Sequence, residues 1–264
     1  MIRIDIALVQ KKIFETRNKA QFAIKNNLVY CNGMLIKKNN YLVSEEDVLE
    51  VKGDLLPYVS KGGLKLEKAL KKFNIKLKGK NMIDIGSSTG GFSDCALQNG
   101  ISKIYAVDVG SNQFNRKLLE SNKIILKEKT DFRKLNNEDL LEYDIAVIDV
   151  SFISILKLLP KIEQLNNLNE IILLIKPQFE CGMEIARKYN GIIINKEIHH
   201  KIINQIISEF HKINYFLTNF TYSPICGGSG NIEYLAYFVK NTNNSIKVEI
   251  EKEINLAFKK LKNI

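Results

Sequence analysis

The chain has 264 residues and carries 39 Lys and Arg against 29 Asp and Glu, a formal net charge of +10. Its hydrophobic fraction of 45% and charged fraction of 26% are typical of a globular protein and exclude extensive disorder. The apolar run at 171–175 is far shorter than the roughly 20 residues that a membrane helix needs. Charges at positions 3 and 5 argue against a signal peptide, so we expect a cytoplasmic protein without a membrane partner.

Cysteine and histidine usage predicts neither a disulfide framework nor a metal site. The four cysteines are widely spaced and include no C-x-x-C pair: Cys31, Cys95, Cys181 and Cys226. Two of the three histidines are adjacent, so they point to different faces of a helix, and no H-E-x-x-H motif occurs. We expect buried thiols and a metal-independent protein.

The positive charge is concentrated near the start of the chain. Residues 3–38 hold eight basic and two acidic residues, and residues 59–80 hold eight lysines and one glutamate. Such asymmetry is typical of a protein with a polyanionic partner, either nucleic acid or an anionic membrane. A lysine-rich composition with solvated helices explains the charge equally well, so charge alone leaves both interpretations open.

The first fifty residues predict a small binding module. Ile4, Ala7 and Leu8 have helical spacing, and Thr16 is a candidate N-cap for a second helix over 17–25. Asn32-Gly33 between two apolar runs predicts a hairpin with a type I′ turn. The alternation at 41–43 and 48–51 predicts one or two further short strands, so we assign residues 1–52 to this domain.

The next segments predict a linker and a basic helix. Residues 53–60 are interpreted as the linker because Pro57 disfavours helical geometry at the preceding residue. Residues 61–73 place leucines among lysines at helical spacing, which predicts a basic amphipathic helix at the start of a second domain over 61–264.

The second domain alternates predicted strands and helices. Strands are predicted at 81–85, 103–108, 124–126, 143–149 and 170–176, followed by a helix at 195–211 and strands at 215–222 and 231–239. Strands separated by helical stretches indicate parallel pairing, so we predict a doubly wound α/β sheet that ends in an antiparallel pair.

A glycine-rich turn follows the first of these strands. Asp84-x-Gly86-x-x-x-Gly90-Gly91 ends the strand, and Asp108 ends the next strand, where an acidic residue suits ribose hydroxyls. Ser88 replaces the second glycine of a dinucleotide-binding turn, which speaks against a pyrophosphate. An acidic residue two positions before the glycine fits the cationic methionine half of S-adenosylmethionine, so we predict that cofactor.

Four charged residues are predicted to meet near this turn: Lys65, Asp149, Lys176 and Glu233. Methylation of a ribose hydroxyl requires its deprotonation, and burial can lower the pKa of a lysine until it serves as general base. Base-nitrogen methylation usually shows a (Asp/Asn)-Pro-Pro-(Tyr/Phe) motif, and cytosine-carbon methylation needs a Pro-Cys nucleophile. Neither motif stands at the corresponding positions, so the 2′-hydroxyl of RNA is the favoured acceptor.

The N-terminal segment resembles the S4-type RNA-binding domain of a small-subunit ribosomal protein and of pseudouridine synthases. The residues that carry this resemblance are Arg3 with the following apolar residues, Thr16-Arg17-x-x-Ala20, and Val29-x-x-Asn32-Gly33 with Lys37. The resemblance implies that Arg3, Arg17 and Lys19 face RNA phosphates. Asn27 replaces the usual glycine, and we expect the turn to survive because Asn tolerates left-handed geometry.

Taken as a whole, the chain resembles the TlyA family, ribosomal RNA 2′-O-methyltransferases related to FtsJ and also called the hemolysin A family. The segments that carry it are YVSKGGLKLEKAL at 58–70, DIGSSTGGFSD at 84–94, YAVDVG at 105–110, TDFR at 130–133, IDVSFIS at 148–154, KPQFE at 176–180 and GNIE at 230–233. The resemblance implies a small α+β S4 domain ahead of a Rossmann-like class I methyltransferase domain that uses S-adenosyl-L-methionine.

The resemblance also implies functional residues and partners. The catalytic tetrad maps to Lys65, Asp149, Lys176 and Glu233, and the cofactor-binding residues to Asp84, Gly86, Ser87, Gly90, Gly91, Phe92, Asp108 and Asp131. Ser87 and Ser93 stand where the family commonly has Ala and Thr, which are mild changes. Family members methylate cytidine in 23S rRNA and some also in 16S rRNA, so rRNA within ribosomal subunits is the expected partner, without an obligate protein partner.

Two other functions remain as alternatives at this point. A membrane-active hemolysin is favoured only by the family label and by the basic amphipathic helix at 61–73. A ribosome-assembly factor that binds RNA without catalysis would not need the four charged residues. The sequence favours the enzyme.

Overall fold

The computed structural model describes residues 1–25, 27–53, 56–241 and 248–261. It divides into two compact units, Met1–Pro57 and Tyr58–Ile264. The boundaries expected from the sequence, with a linker over 53–60, stay a prediction, and two residues of that linker (54 and 55) lie outside the described residues.

The N-terminal unit contains two short helices and five short strands. They are α1 Ile4–Gln10, α2 Arg17–Lys25, β1 Ile2–Arg3, β2 Val29–Cys31, β3 Met34–Leu35, β4 Leu42–Val43 and β5 Leu49–Val51. The predicted apolar face of α1 packs into a core with Ala20, Ala23 and Ile24 of α2. The Thr16 hydroxyl accepts a hydrogen bond from the Lys19 backbone N–H at 3.3 Å, which confirms the predicted N-cap.

The turns of this unit have the geometry that the sequence predicted. Asn32 and Gly33 have φ of 49° and 79°, and they connect β2 and β3, which pair antiparallel. Both positive φ values agree with the predicted type I′ turn. Asn27 has a φ of 60°, so asparagine adopts the left-handed conformation at the position where the family usually has glycine.

The second unit is built on a seven-stranded sheet in the order β11-β12-β10-β9-β6-β7-β8. Its strands are β6 Asn81–Ile85, β7 Lys103–Val107, β8 Ile124–Lys127, β9 Ile145–Ile148, β10 Glu170–Ile175, β11 Tyr215–Tyr222 and β12 Tyr234–Lys240. Strands β6 to β10 pair in parallel, β12 pairs antiparallel with β10, and β11 pairs antiparallel with β12. The predicted parallel sheet with a final antiparallel pair is confirmed.

Helices cover both faces of this sheet. They are α3 Gly62–Phe73, α4 Gly91–Gln98, α5 Leu159–Glu163, α6 Pro177–Glu180, α7 Gly182–Lys188, α8 Lys196–Lys212 and α9 Ile250–Leu261. Alternate residues of β6 enter different cores, since Met82 packs with α3 and α4 whereas Ile83 and Ile85 pack with α8 and α9. This alternation explains why β9 is apolar throughout and why β6 is apolar apart from Asn81 and Asp84.

Helix α9 was not predicted, although its apolar residues Ile254, Ala257 and Phe258 have helical spacing and are buried. Strand β6 lies between β7 and β9, so the chain leaves it toward one edge of the sheet and later returns to its other side. In such sheets a crevice opens at the carboxyl ends of the strands on either side of this switch point.

Candidate active site

The glycine turn after β6 depends on close backbone packing. Gly86 has a φ of 84°, and a Cβ there would lie 2.6 Å from the backbone oxygen of Asp149. Gly90 has a φ of 87°, and a Cβ there would lie 2.7 Å from the Leu118 side chain. Neither position accepts a side chain without a shift, so the turn brings its backbone close to the loop after β9 and starts α4 at Gly91.

Asp108, directly after β7, stabilises this turn through hydrogen bonds. Its carboxylate accepts hydrogen bonds from the backbone N–H of Ser88 at 2.8 Å and of Gly110 at 2.7 Å. The two bonds fix the carboxylate at the carboxyl edge of the sheet. Each carboxylate oxygen keeps a lone pair that can accept a ligand hydroxyl.

A first cavity of about 370 Å³ opens beside Asp108. Its walls are the ends of β6 and β7 and the loops after β8 and β9, with the apolar side chains Val109 and Phe132 near the acidic Asp131. Asp131 accepts hydrogen bonds from the guanidinium of Arg133, and these bonds lower its pKa. The mixture of flat apolar surface and carboxylates suits a nucleoside.

A second cavity of about 430 Å³ shares Gly86, Ser88 and Asp149 with the first. It is lined by the beginnings of α3 and α4 and by the turn at 225–228, and its walls include Ser87, Gly91 and Phe92. Ser87 is 4% exposed, and its hydroxyl has no hydrogen-bond partner within the described part of the chain. A buried hydroxyl without a partner beside two helix N-termini suits a polar or anionic group.

Asp84 lies beneath the glycine turn, and it lines neither cavity. The carboxyl group is fully buried and accepts a hydrogen bond from the Ser93 hydroxyl at 2.6 Å. Burial raises the pKa of Asp84 to about 7. Gly90 also lines neither cavity, whereas the other six predicted cofactor residues each line at least one. A direct cofactor contact of Asp84 stays a prediction.

The four predicted catalytic residues lie together, and two of them, Lys65 and Asp149, line the second cavity. Lys65 Nζ is 2.7 Å from Glu233 Oε2 and 3.8 Å from Asp149 Oδ2, and Lys176 Nζ is 2.6 Å from Asp149 Oδ1. All four side chains are largely buried. The two ammonium groups and the two carboxylates alternate along the cluster, and their charges sum to zero. Pairing of opposite charges offsets part of the free-energy cost of burying them.

The four side chains come from four separate segments of the second unit. Lys65 is on α3, Asp149 follows β9, Lys176 follows β10 and Glu233 precedes β12. Because β9 and β10 are parallel neighbours, their carboxyl ends bring Asp149 and Lys176 to one edge, and the antiparallel β12 begins at that edge.

Further polar residues surround this cluster, and the sequence analysis assigned no role to them. Lys176 Nζ donates to the Ser151 hydroxyl at 2.7 Å, and Gln178 Nε2 donates to Glu233 Oε1 at 3.3 Å. Gly227 faces the same carboxylate, since a Cβ there would lie 2.4 Å from Glu233 Oε1. In the sequence, the feature that could have pointed to Ser151 and Gln178 is their position, because each lies two residues after a predicted catalytic residue.

In the N-terminal unit, the predicted RNA-binding residues are already engaged with acidic side chains. Arg3 and Arg17 hydrogen-bond to the fully buried Asp5 at 3.1 and 2.9 Å, while Lys19 pairs with Glu15 at 2.9 Å. Burial alone would raise the pKa of Asp5, but bonds from Arg3, Gln21 and Arg17 hold it at about 2. The arginine side chains remain 41% and 49% exposed, so each can still face a ligand.

None of the helices within the described ranges is long and apolar enough to cross a membrane. The described residues contain no group of three or more His, Cys, Asp or Glu side chains arranged to hold a metal ion.

Comparison with known proteins assigns this chain to a family. Residues 58–240 match the FtsJ-like methyltransferase model, and residues 2–49 match the S4 domain model. The chain is 40% identical over 257 residues to the 23S rRNA (cytidine-2′-O)-methyltransferase TlyA of Campylobacter jejuni, covering 91% of this chain and 100% of that relative. Hemolysin A of Brachyspira hyodysenteriae is 40% identical over 241 residues, covering 90% and 100%.

A solved structure from Streptococcus thermophilus, described as a candidate hemolysin, matches with a TM-score of 0.77 at 38% identity and covers 99% of this chain and 97% of that one. These matches confirm the predicted mixed α/β methyltransferase fold with an N-terminal S4 domain. The chain belongs to the TlyA family, in which an S4 domain precedes an FtsJ-like methyltransferase domain.

Proposed function

We propose that this protein transfers a methyl group from S-adenosylmethionine to the 2′-hydroxyl of a cytidine in ribosomal RNA. The observation that carries the proposal is the buried cluster of two lysines and two carboxylates beside the glycine turn. The Campylobacter jejuni relative is named for this reaction on 23S rRNA. The FtsJ-like methyltransferase domain would carry out the chemistry, and the S4 domain would bind the RNA.

The two connected cavities fit the parts of the cofactor. Asp108 would accept the ribose hydroxyls, and the adenine would lie in the first cavity near Val109, Asp131 and Phe132. The amino-acid end suits the second cavity, where Ser87 has an unpartnered hydroxyl beside the start of α4. When bound, the cofactor supplies an electrophilic methyl group on a sulfonium.

The residues of the cluster would align and deprotonate the acceptor hydroxyl. Lys65 and Asp149 line the second cavity, whereas Lys176 contacts Asp149 and lines neither cavity. A lysine that has first released its ammonium proton to solvent would accept the hydroxyl proton while the ribose oxygen bonds to the methyl carbon and the carbon–sulfur bond breaks, so that the cofactor leaves as a neutral thioether. The adjacent carboxylates would stabilise the ammonium that is regenerated. The proton then leaves to solvent.

The N-terminal unit would supply affinity for folded RNA. Arg3, Arg17 and Lys19 lie within a segment of strong positive charge, and the two arginines keep exposed surface. The acceptor 2′-hydroxyl itself distinguishes RNA from DNA. We propose that the substrate is rRNA within ribosomal subunits in the cytoplasm, where such subunits are assembled.

The test uses methyl-labelled cofactor with separate large and small ribosomal subunits from a host that lacks the modification. Label in large subunits alone supports a 23S rRNA substrate, and label in both subunits extends the substrate to 16S rRNA. Absence of label from both, with cofactor binding demonstrated, contradicts the proposal and favours a binder without catalysis.

The name of the Brachyspira hyodysenteriae relative supports a second candidate, a membrane-active hemolysin. The feature of this chain in its favour is the amphipathic helix α3, on which Leu66 and Leu70 are buried while Lys71 and Lys72 are exposed. Purified protein at physiological salt is added to dye-loaded anionic liposomes. Rapid leakage would support the hemolysin, and intact liposomes would eliminate it.

A further inference from the structure

The short helix α6, Pro177–Glu180, directly follows Lys176, and its side chains contact Glu233 and the end of the loop that begins at Asp149. We propose that two of its residues, Gln178 and Glu180, are positioning residues: Gln178 orients the carboxylate of Glu233, and Glu180 anchors the loop that carries Asp149. This inference rests on the proposed function, because it assigns a purpose to contacts around the proposed catalytic groups.

The carboxylate of Glu233 has a separate donor on each oxygen. Lys65 Nζ donates to Oε2 at 2.7 Å, and Gln178 Nε2 donates to Oε1 at 3.3 Å. Glu233 is only 2% exposed, so water does not replace these donors easily. Because both oxygens are held, the plane of the carboxylate is fixed and its charge is directed at Lys65.

The orientation of the Gln178 amide is also fixed. Its Oε1 atom is buried and has no hydrogen-bond partner among the described residues. Reversal of the amide would place that oxygen against the Glu233 carboxylate, with oxygen facing oxygen. The Gln178 N–H is therefore bonded to Glu233 although the amide oxygen has no partner. This arrangement is expected of a side chain whose main partner is the Glu233 carboxylate.

Glu180 holds the loop at 149–154 from the other side. Its carboxylate accepts hydrogen bonds from the Ser154 hydroxyl at 2.6 Å and from the Ile155 backbone N–H at 2.9 Å. Burial raises the pKa of this carboxyl. The loop is thus fixed at its end by Glu180 and near its start by the contacts of Lys176 with Asp149 and Ser151.

Neither positioning residue lines either cavity. Their loss should therefore slow methyl transfer without weakening the binding of cofactor or RNA. Displacement of reacting groups by about 1 Å can cost on the order of 100-fold in rate. Gln178 and Glu180 hold other residues in place and do not react themselves, so the expected loss is smaller. For each of them we expect the rate of methyl transfer to fall by at least roughly tenfold.

The test compares Gln178→Met and Glu180→Met with Gln164→Met and Glu163→Met, matched changes at exposed positions. Single-turnover methyl transfer to ribosomal subunits and cofactor affinity by calorimetry are measured for each protein. We expect the first pair to lose about tenfold or more in rate with unchanged cofactor affinity, and thermal unfolding is recorded so that all rates are compared on folded protein. Glu180→Gln should recover most of the rate, because its amide oxygen can accept from the Ile155 N–H while its NH2 group donates to the Ser154 hydroxyl oxygen.

Gln178→Glu provides a pH readout that a packing role would not produce. It places a second carboxylate beside Glu233, and mutual repulsion raises the pKa of the pair. The acidic limb of the pH–rate profile should therefore move to higher pH. An unmoved profile in Gln178→Glu, or a wild-type rate in both methionine variants, would overturn the inference. Rate lost together with cofactor affinity would also overturn it.

A second readout separates this inference from the proposed function. With lysine Nζ labelled by ¹⁵N, an ammonium that is held in hydrogen bonds exchanges slowly and gives a sharp signal. We expect Gln178→Met to broaden the Lys65 signal and Glu180→Met to broaden the Lys176 signal. If wild-type protein transfers no methyl group, the proposed function fails, while unchanged lysine signals would independently refute the positioning role.

Discussion

The ammonium group of Lys65 contacts two carboxylates that lie far apart in sequence, Asp149 and Glu233. Neither carboxylate belongs to the helix that carries the lysine, so these contacts depend on the assembled fold. Lys65 also lines the second cavity, where an acceptor ribose would lie. Its position is therefore suited to act on the substrate as well as to stabilise the cluster.

We predict that Lys65→Ala reduces methyl transfer by at least about 100-fold, the usual contribution of a general acid–base group, and leaves cofactor affinity within about twofold. The matched control is Lys71→Ala on the same helix, where the lysine is exposed and pairs with Glu67. Rate and affinity are measured by single-turnover assay and calorimetry. Loss of both in Lys65→Ala would show that this lysine has a structural role.

Asp84 is a predicted cofactor residue that lines neither cavity. Strand parity accounts for this: Met82 and Asp84 point to the same face of β6, toward α3 and α4. The carboxyl therefore meets Ser93 beneath the glycine turn, and burial raises its pKa to about 7.

This shift predicts a pH-dependent stability. Because the folded-state pKa is raised above the ordinary value of 3.8, folding favours the protonated form, and its stabilising contribution is lost as pH rises from about 4 through about 7. Urea unfolding of wild type and Asp84→Asn is compared across this range. The stability of wild type relative to Asp84→Asn should fall by up to about 4 kcal/mol and then level off above the folded-state pKa. A difference that does not vary with pH would contradict the assignment.

Among the structural elements, those with strong periodicity or clear boundaries were predictable from sequence. The apolar runs of β6, β9 and β10 end in charged or glycine residues, and the Asn32-Gly33 turn requires positive φ at both positions. Parallel pairing then brings the strand ends together, which is why the meeting of Asp149 and Lys176 could be foreseen.

Other elements gave weaker signals. The short helices α5, α6 and α7 have too few turns for a hydrophobic period to emerge. Gln178 and Glu180 are polar residues in such a helix, so only the tertiary contacts reveal their partners. The pairing of Arg3 and Arg17 with Asp5 was also missed, because opposite charges close in sequence do not disclose which of them are buried.

Helix α2 of the N-terminal unit carries a further prediction. Arg17→Ala should weaken RNA binding and reduce the slope of log affinity against log salt by about one, as expected for a lost phosphate contact. Arg17→Lys keeps the positive charge and should retain most of the slope. Thermal unfolding is monitored in parallel because Arg17 also bonds the buried Asp5. An unchanged slope in Arg17→Ala would exclude a phosphate contact.

The chain combines a basic S4 unit with a methyltransferase unit whose charged cluster is neutral in sum. Much of the positive charge lies in residues 3–38 and 59–80, whereas the remainder of the chain is slightly acidic. This distribution would favour long-range attraction of RNA to the N-terminal unit and to α3, while the proposed chemistry would take place in a buried, locally neutral cluster. Substrate affinity should therefore depend on salt more strongly than the rate of the bound complex does.

The most direct test is the chemical position of the transferred methyl group. Ribosomal subunits from an unmodified host are incubated with the protein and labelled S-adenosylmethionine, and their RNA is digested to nucleosides for mass spectrometry. We predict that the label is recovered as 2′-O-methylcytidine and is absent with Lys65→Ala. Label on the cytosine base, or no transfer by a wild-type protein that binds the cofactor, would contradict ribose methylation by this site.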